Sequence, residues 1–152
     1  MAIAFANKYS LAVCENGDLY ACGSNAINNL DRIANEHSDS WFHFQKVEDI
    51  DEAVAFVANG YVHTGFVTDK GHLYMFGSGR FNRLGFGDEM DRPKPVLLSL
   101  GQTIRMVACG IDFTLALDTD GIVYSWGSNN YGQLGGGGIV SIFPGGPQIS
   151  KI

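Results

Sequence analysis

Three stretches of the chain share the same punctuation at a nearly constant interval, and this repetition limits the possible folds more than any other feature. They read "NGDLYACGSNAINNLD" (16–31), "KGHLYMFGSGRFNRLG" (70–85) and "DGIVYSWGSNNYGQLG" (120–135). Gly17, Gly71 and Gly121 lie 54 and 50 residues apart, and the same offsets relate Gly23, Gly77 and Gly127, and Leu30, Leu84 and Leu134. The likeness continues upstream, where "VANGYVHT" (57–64) matches "VACGIDFT" (107–114), and "IAFANKYS" (3–10) matches both more loosely. A fixed period of this size marks a repeat architecture, in which one unit cannot bury its apolar faces without its neighbours. The 152 residues therefore read as a single repeat domain with units at approximately 1–50, 51–100 and 101–152.

Asn16-Gly17, Lys70-Gly71 and Asp120-Gly121 separate runs of alternating character, the signal for β-hairpins whose two-residue turns need positive φ. Taking these pairs as the loop residues places Val13 opposite Tyr20, Val67 opposite Tyr74 and Leu117 opposite Tyr124. One step out, Leu11 is expected to meet Cys22, Gly65 to meet Phe76, and Leu115 to meet Trp126. Both hairpin faces are mostly apolar, as in strands buried between neighbouring sheets. A further strand precedes Gly60 and Gly110 ("AVAFVA", "TIRMVA"), and another lies at "FQKV" and "PVLLS". The expected fold is thus all-β, with propeller-type blades of four antiparallel strands stacked about an axis, aliphatic across from tyrosine in each hairpin. With "PQISKI" as the last strand, the count along the chain is three, four, four and one, or three blades' worth. Three fall below the usual minimum of about four blades. The expectation is a partial propeller, either continued by further units or completed by a second copy joined head to tail.

Ten Lys and Arg against 16 Asp and Glu give a formal net charge of −6, which argues against a phosphate-neutralising surface and direct nucleic-acid binding. The start, "MAIAFANKYSLAVCENG", lacks the basic and long apolar regions of a signal peptide. No run reaches the roughly 20 apolar residues of a membrane span. Three cysteines fit neither a zinc site nor a disulfide framework, so the expected setting is intracellular, cytoplasmic or nuclear.

The pattern V-A-x-G, then H/F-T, then D-x-G-x-V/L-Y-x-W/F-G-S, then an aromatic-Gly loop closing on L-G, then G-D and P-x-P-V resembles the repeat of the regulator of chromosome condensation family. The second unit carries it in Val57, Ala58, Gly60, His63, Tyr74, Pro93, Pro95 and Val96, and the third in Val107, Ala108, Gly110, Tyr124, Trp126, Tyr131 and Gly132. The first unit departs from it, with Cys22 in place of an aromatic and Ala6 in place of a glycine. The resemblance implies a β-propeller, usually of seven blades, that serves as a protein-binding platform. The founding member of that family is a nucleotide exchange factor for the small GTPase Ran and binds chromatin.

Chemistry-bearing residues read more plainly as structure. His37 and His43, with Asp39, have a spacing that suits no metal site, and a solvated loop is expected. His63 shares its repeat position with Tyr9 and Phe113, an exchange that speaks for volume in the core. Cys14, Cys22 and Cys109 read as small buried hydrophobes. Asp88, Glu89 and Asp91, like Glu48, Asp49, Asp51 and Glu52, read as turn and solubility residues. The glycines of "GSGRFNRLGFG" and "GGGG" lack the context of a phosphate loop, so no cofactor is expected. Gly23, Gly77 and Gly127 are expected to admit close backbone approach between blades.

The loops after those three glycines, "SNAINN", "SGRFNR" and "SNNYGQ", should gather on one rim, where their differences can specify a partner. Arg80, Phe81 and Arg83 combine residue types favoured at interface hot spots. Trp41 has no counterpart in the other units, and Asn129 and Asn130 complete the candidate protein-binding set. The repeat frame itself is Gly17, Gly71, Gly121, Gly23, Gly77, Gly127, Tyr20, Tyr74, Tyr124, Trp126, Leu84 and Leu134. The expected function is a non-enzymatic protein-binding propeller module, and the alternative is guanine-nucleotide exchange on a small GTPase.

Overall fold

The structure is a computed structural model that describes residues 2–6, 8–24, 40–135 and 148–150, the side chains of 24, 40–42 and 148–150 excepted. Twelve strands form three four-stranded antiparallel sheets among these residues. The first blade holds β1 (Ala2–Phe5), β2 (Tyr9–Val13), β3 (Leu19–Ser24) and β4 (Ser40–Lys46). The second holds β5 (Val54–Asn59), β6 (His63–Thr68), β7 (Leu73–Gly77) and β8 (Arg92–Leu98). The third holds β9 (Ile104–Cys109), β10 (Phe113–Asp118), β11 (Val123–Gly127) and β12 (Gln148–Ser150). The twelve strands therefore group four, four and four, because β4 pairs with β3, β8 with β7 and β12 with β11, each closing the blade before it.

The hairpin register differs by one residue from the expected one. Val13 faces Leu19 and Ala12 faces Tyr20; Val67 faces Leu73 and Phe66 faces Tyr74; Leu117 faces Val123 and Ala116 faces Tyr124. The cause is turn type. Cys14 N donates to Asp18 O at 2.9 Å and Gly17 N to Cys14 O at 3.0 Å, which closes a three-residue loop on a type I turn. Thr68 with His72 and Asp118 with Ile122 repeat the pattern, and each loop ends on its glycine at φ +84, +78 or +85°. One added loop residue moves the tyrosines to the face opposite the aliphatic pairs. Cys22 accordingly faces Ser10, and Cys14 is exposed, so neither behaves as the buried hydrophobe expected.

That face change explains how the blades stack. The first and second blades each turn a mainly aliphatic face toward the following blade, which meets it with an aromatic face. In the first seam Leu11, Val13 and Leu19 pack with Val57, Phe66 and Phe76. In the second Val67, Leu73 and Met75 pack with Val107, Tyr124 and Trp126. Phe66 stacks on Tyr74 at 5.0 Å between centroids and meets Phe76 edge-on at 6.4 Å. Gly23 and Gly127 admit close approach of backbone, but within the hairpin: a Cβ on Gly127 would lie 2.6 Å from Phe113 Cα of β10 in the same blade.

Candidate functional site

The β5–β6 turn (60–62) and the loop after β7 (78–91) emerge at one end of the second blade, tied by Ser78 N donating to Val62 O at 2.9 Å. Ser128 N donating to Asp112 O at 2.8 Å ties the matching elements of the third blade. The two blades therefore present these loops on a common rim. The loop after Gly23, "SNAINN", and Leu30, His37 and Asp39 lie outside the described residues.

Arg80 and Phe81 stand at the outer surface of this rim, in a single 3-10 turn over Arg80–Asn82. Phe81 has φ +58° and Asn82 +53°, a left-handed conformation that strains a bulky side chain by about 1–2 kcal/mol. Arg80 and Arg83 hold their guanidinium carbons 5.4 and 5.7 Å from the Phe81 ring centroid. The turn is anchored from below by Asn82, whose Oδ1 accepts Gly87 N at 2.9 Å; Asn129 Oδ1 likewise accepts Leu134 N at 2.9 Å.

Arg83 differs from Arg80. Its side chain is 4% exposed, forms a 2.9 Å ion pair with Asp112, and reaches the Ile111 carbonyl. Its own carbonyl accepts Thr114 Oγ1–H at 2.7 Å and Trp126 Nε1–H at 2.9 Å. Arg83 thus ties the second blade to the third, and burial pulls its pKa down while Asp112 opposes the shift. The candidate set accordingly divides. Arg80, Phe81 and Asn130 are exposed, Arg83 and Asn129 are buried, and Trp41 lies in the first blade, on β4 opposite Gly23.

The rim also holds residues that sequence reasoning passed over. Tyr131 is 95% exposed, Met90 66%, Ile111 64% and Tyr61 50%. Tyr131 was visible only as a repeat aromatic, and its exposure depends on what packs beside it. The opposite rim, formed by the hairpin turns and the loops 47–53 and 99–103, is rich in carboxylates. Glu52 there pairs with Lys70 and His72, and Asp49 with Lys94. On the first rim Asp88 caps Met90 N and pairs with Arg92 at 2.7 Å, while Asp91 accepts Gly79 N. These acids serve turns.

Two further titratable groups, His63 and Cys109, are shifted by burial. His63 is fully buried, and its Nε2 lies 2.8 Å from Thr114 Oγ1, whose proton goes to Arg83 O, so Nε2 carries the ring proton. Tyr9 plays the equivalent part in the first seam, its hydroxyl 3.1 Å from both His63 O and Thr64 Oγ1. Burial raises the Cys109 thiol to about 12. Burial, aided by Arg83, lowers His63 to about 3, far below the ~6.5 of an unfolded chain. Between those values the unfolded chain takes up a proton that the folded one refuses, so stability is full above ~6.5 and falls as pH drops. Urea unfolding at pH 6.5 and 5.5 is expected to lose about 1 kcal/mol through this group. His63→Phe, the side chain found at this position in the third blade, should flatten that decline; an unchanged slope would exclude His63 as its source.

Three stacked four-stranded blades define a segment of a β-propeller built from a repeated unit of about fifty residues. The chain belongs to the regulator of chromosome condensation (RCC1) repeat family, whose repeat matches residues 70–117 and 120–148. It is 36% identical over 142 residues to the human (Homo sapiens) E3 ubiquitin-protein ligase HERC2, an alignment covering 91% of this chain and 3% of that protein. The crystal structure of human WBSCR16 superposes with a TM-score of 0.84 at 25% identity, covering 99% of this chain and 39% of that one. Prp20p from Saccharomyces cerevisiae superposes with a TM-score of 0.81 at 20% identity, covering 99% and 38%. The chain thus spans well under half of each of these proteins. Among the described residues no helix is long and apolar enough to cross a membrane.

Proposed function

We propose that the chain is a non-enzymatic protein-binding propeller module whose partner docks on the rim carrying Arg80, Phe81, Asn130 and Tyr131. One observation carries this reading: Tyr61, Phe81, Met90, Ile111 and Tyr131 all leave the surface on that rim, whereas the opposite rim is dominated by carboxylates. Exposed aromatics beside an arginine supply apolar area and directional charge together, the combination found at interface hot spots. The strained backbone at Phe81 supports the same reading, because the fold spends conformational energy to hold that ring outward. The buried, neutral His63 and the raised Cys109 thiol support a non-enzymatic role.

The test compares capture by the wild type with capture by Arg80→Ala/Phe81→Ala, by Tyr131→Ala, and by Glu15→Ala/Asp120→Ala on the opposite rim. Proteins retained by the wild type should fall about tenfold or more with the first two variants and hold steady with the third. Loss with the opposite-rim variant alone would place the partner at the other end of the blades and overturn this reading.

The narrower reading is guanine-nucleotide exchange on a small GTPase. Its support is fold likeness to Prp20p, whose structure was described together with its binding to Gsp1p and histones. A nucleotide-release assay over a panel of GTPases separates the two: faster release at catalytic amounts supports exchange, and unchanged release with capture intact leaves the binding platform.

A further inference from the structure

On the carboxylate-rich rim, the hairpin turn of the second blade and the connector from β8 to β9 leave a cleft of about 350 Å³ between them. That volume lies near the lower end of the roughly 300–1,000 Å³ of small-ligand sites. Every lining residue falls within 70–103, between two blades packed on each other, so neither end of the chain takes part. Leu98 pairs with Leu73 at the near end of the connector. At its far end Ile104 N donates to Gly71 O at 2.9 Å and Thr119 N to Thr103 O at 3.0 Å, which pins it to the hairpin turns of both blades. Between these anchors Gly101 bends the chain at φ +72°, where a Cβ would meet nothing within 4 Å.

The matching connector of the first blade shows what is particular to this one. Val47 N donates to Leu19 O where Leu98 pairs with Leu73, and Val54 N donates to Gly17 O where Ile104 N donates to Gly71 O. The segment "EDIDEA" (48–53) thus corresponds to "SLGQT" (99–103), which is one residue shorter. Glu48, Asp49, Asp51 and Glu52 make the first connector strongly acidic, whereas the second has no charge. An anion repelled at the first junction meets no acidic lining residue at the second.

The lining offers three kinds of contact. Leu73, Leu97 and Leu100 form an apolar side, with Leu97 47% exposed. Ser99, Gln102 and Thr103 form a polar side; all are exposed, and no side-chain hydrogen bond joins them to another described residue. Lys70 brings the charge. Its Nζ lies 3.3 Å from Glu52 in a loose, exposed pair, and Glu52 also accepts from His72 Nδ1 at 2.9 Å. The ammonium can therefore turn to a second carboxylate without leaving Glu52 unpartnered. A phosphate would use Lys70 and leave the leucines bare, while a neutral apolar group would leave Lys70 unused. A peptide's last residue carries carboxylate, side chain and amide within one unit, and so matches all three.

We propose that this cleft receives the C-terminal residue of a partner polypeptide that ends in an aliphatic side chain. The carboxylate meets Lys70, the side chain lies on the leucines, and the last amide bonds Gln102 or Ser99. The site lies at the end of the blades away from Phe81 and is independent of the rim reading above.

Amide NMR of the 152-residue chain, titrated with the pentapeptide Gly-Ser-Gly-Ala-Leu bearing a free carboxylate, tests the proposal. Signals of residues 70–73 and 99–103 should shift and saturate with a dissociation constant of about 0.1–1 mM. The same peptide with an amidated end should bind about tenfold more weakly or worse. Gln102→Glu, which copies Glu52 two residues before the next strand, should weaken binding about tenfold, and Gln102→Lys should tighten it severalfold. Lys70→Gln should weaken it about tenfold. These side chains are exposed, so the dispersed spectrum of the folded chain should persist in every variant. Absence of any shift up to several millimolar peptide, equal binding of the free and amidated peptides, or indifference to both changes at Gln102 would overturn the proposal. Equal binding of an amidated peptide with an internal Leu-Glu pair would also overturn it, by moving recognition away from the chain end. Inorganic phosphate shifting the same signals with equal affinity would do so as well, by reducing the cleft to a simple anion site.

Discussion

Replacing Gly127 by alanine is expected to lower stability by about 3 kcal/mol or more, roughly 6–12 °C in melting temperature for a chain of this size. Gly127 ends β11 at φ +108°, where L side chains are strained. The added Cβ would lie 2.5 Å from the Asp112 carbonyl oxygen and 2.6 Å from Phe113 Cα. Both are backbone atoms of the paired strand and its lead-in, so neither can rotate aside. Relief requires parting β10 from β11, which would open the bond from Ser128 N to that same Asp112 carbonyl and shift the ion pair above it. Gly121→Ala is the control: φ is +85° with open space around the site, so only the conformational term of about 1–2 kcal/mol remains. Urea unfolding should separate the two variants clearly; equal losses would show that crowding at the hairpin base contributes nothing.

The contrast between these glycines also marks how far the chain could be read from its letters. Period, hairpins, four strands per unit and stacked blades all followed from glycine spacing and apolar alternation, because those features record backbone demands that recur in every unit. Hairpin register did not follow. Asn-Gly and Asp-Gly serve two-residue turns and also the last two positions of a three-residue loop, and only the Cys14–Asp18 bond distinguishes them. That single residue decided which face each tyrosine occupies. The rim was legible as a set of loops, but exposure within it was not. Arg80 and Arg83 are identical letters three apart, and their fates diverge because Asp112 and the Ile111 carbonyl, from another blade, lie beside one and not the other. Long-range partners of this kind leave no local trace. The position shared by Tyr9, His63 and Phe113 was read as one of volume, which the burial of His63 supports, yet its hydrogen bonds across each seam depend on a threonine some fifty residues away.

Arg83→Ala is therefore expected to act on the fold, with a loss of about 2–3 kcal/mol in urea unfolding. Removing one partner of a buried pair usually has a larger effect, about 3–5 kcal/mol, but the Asp112 side chain keeps 35% exposure, so water shields part of the charge left behind. The loss also includes the guanidinium contact to Phe81 and the bond from Nε to the Arg80 carbonyl at 2.8 Å, which together hold the left-handed turn. Arg80→Ala removes an exposed side chain with only the cation–π contact, and should stay within about 0.5 kcal/mol of the wild type. Capture of the partner should weaken in both variants for different reasons: directly at Arg80, and through a displaced Phe81 at Arg83. Arg83→Lys discriminates further, because an ammonium keeps the charge opposite Asp112 but cannot span the Asp112 carboxylate, the Ile111 carbonyl and the Arg80 carbonyl at once. It should recover less than half of the lost stability. Full recovery by lysine would reduce the seam to charge alone and remove the fork geometry from the account of how the second and third blades are joined.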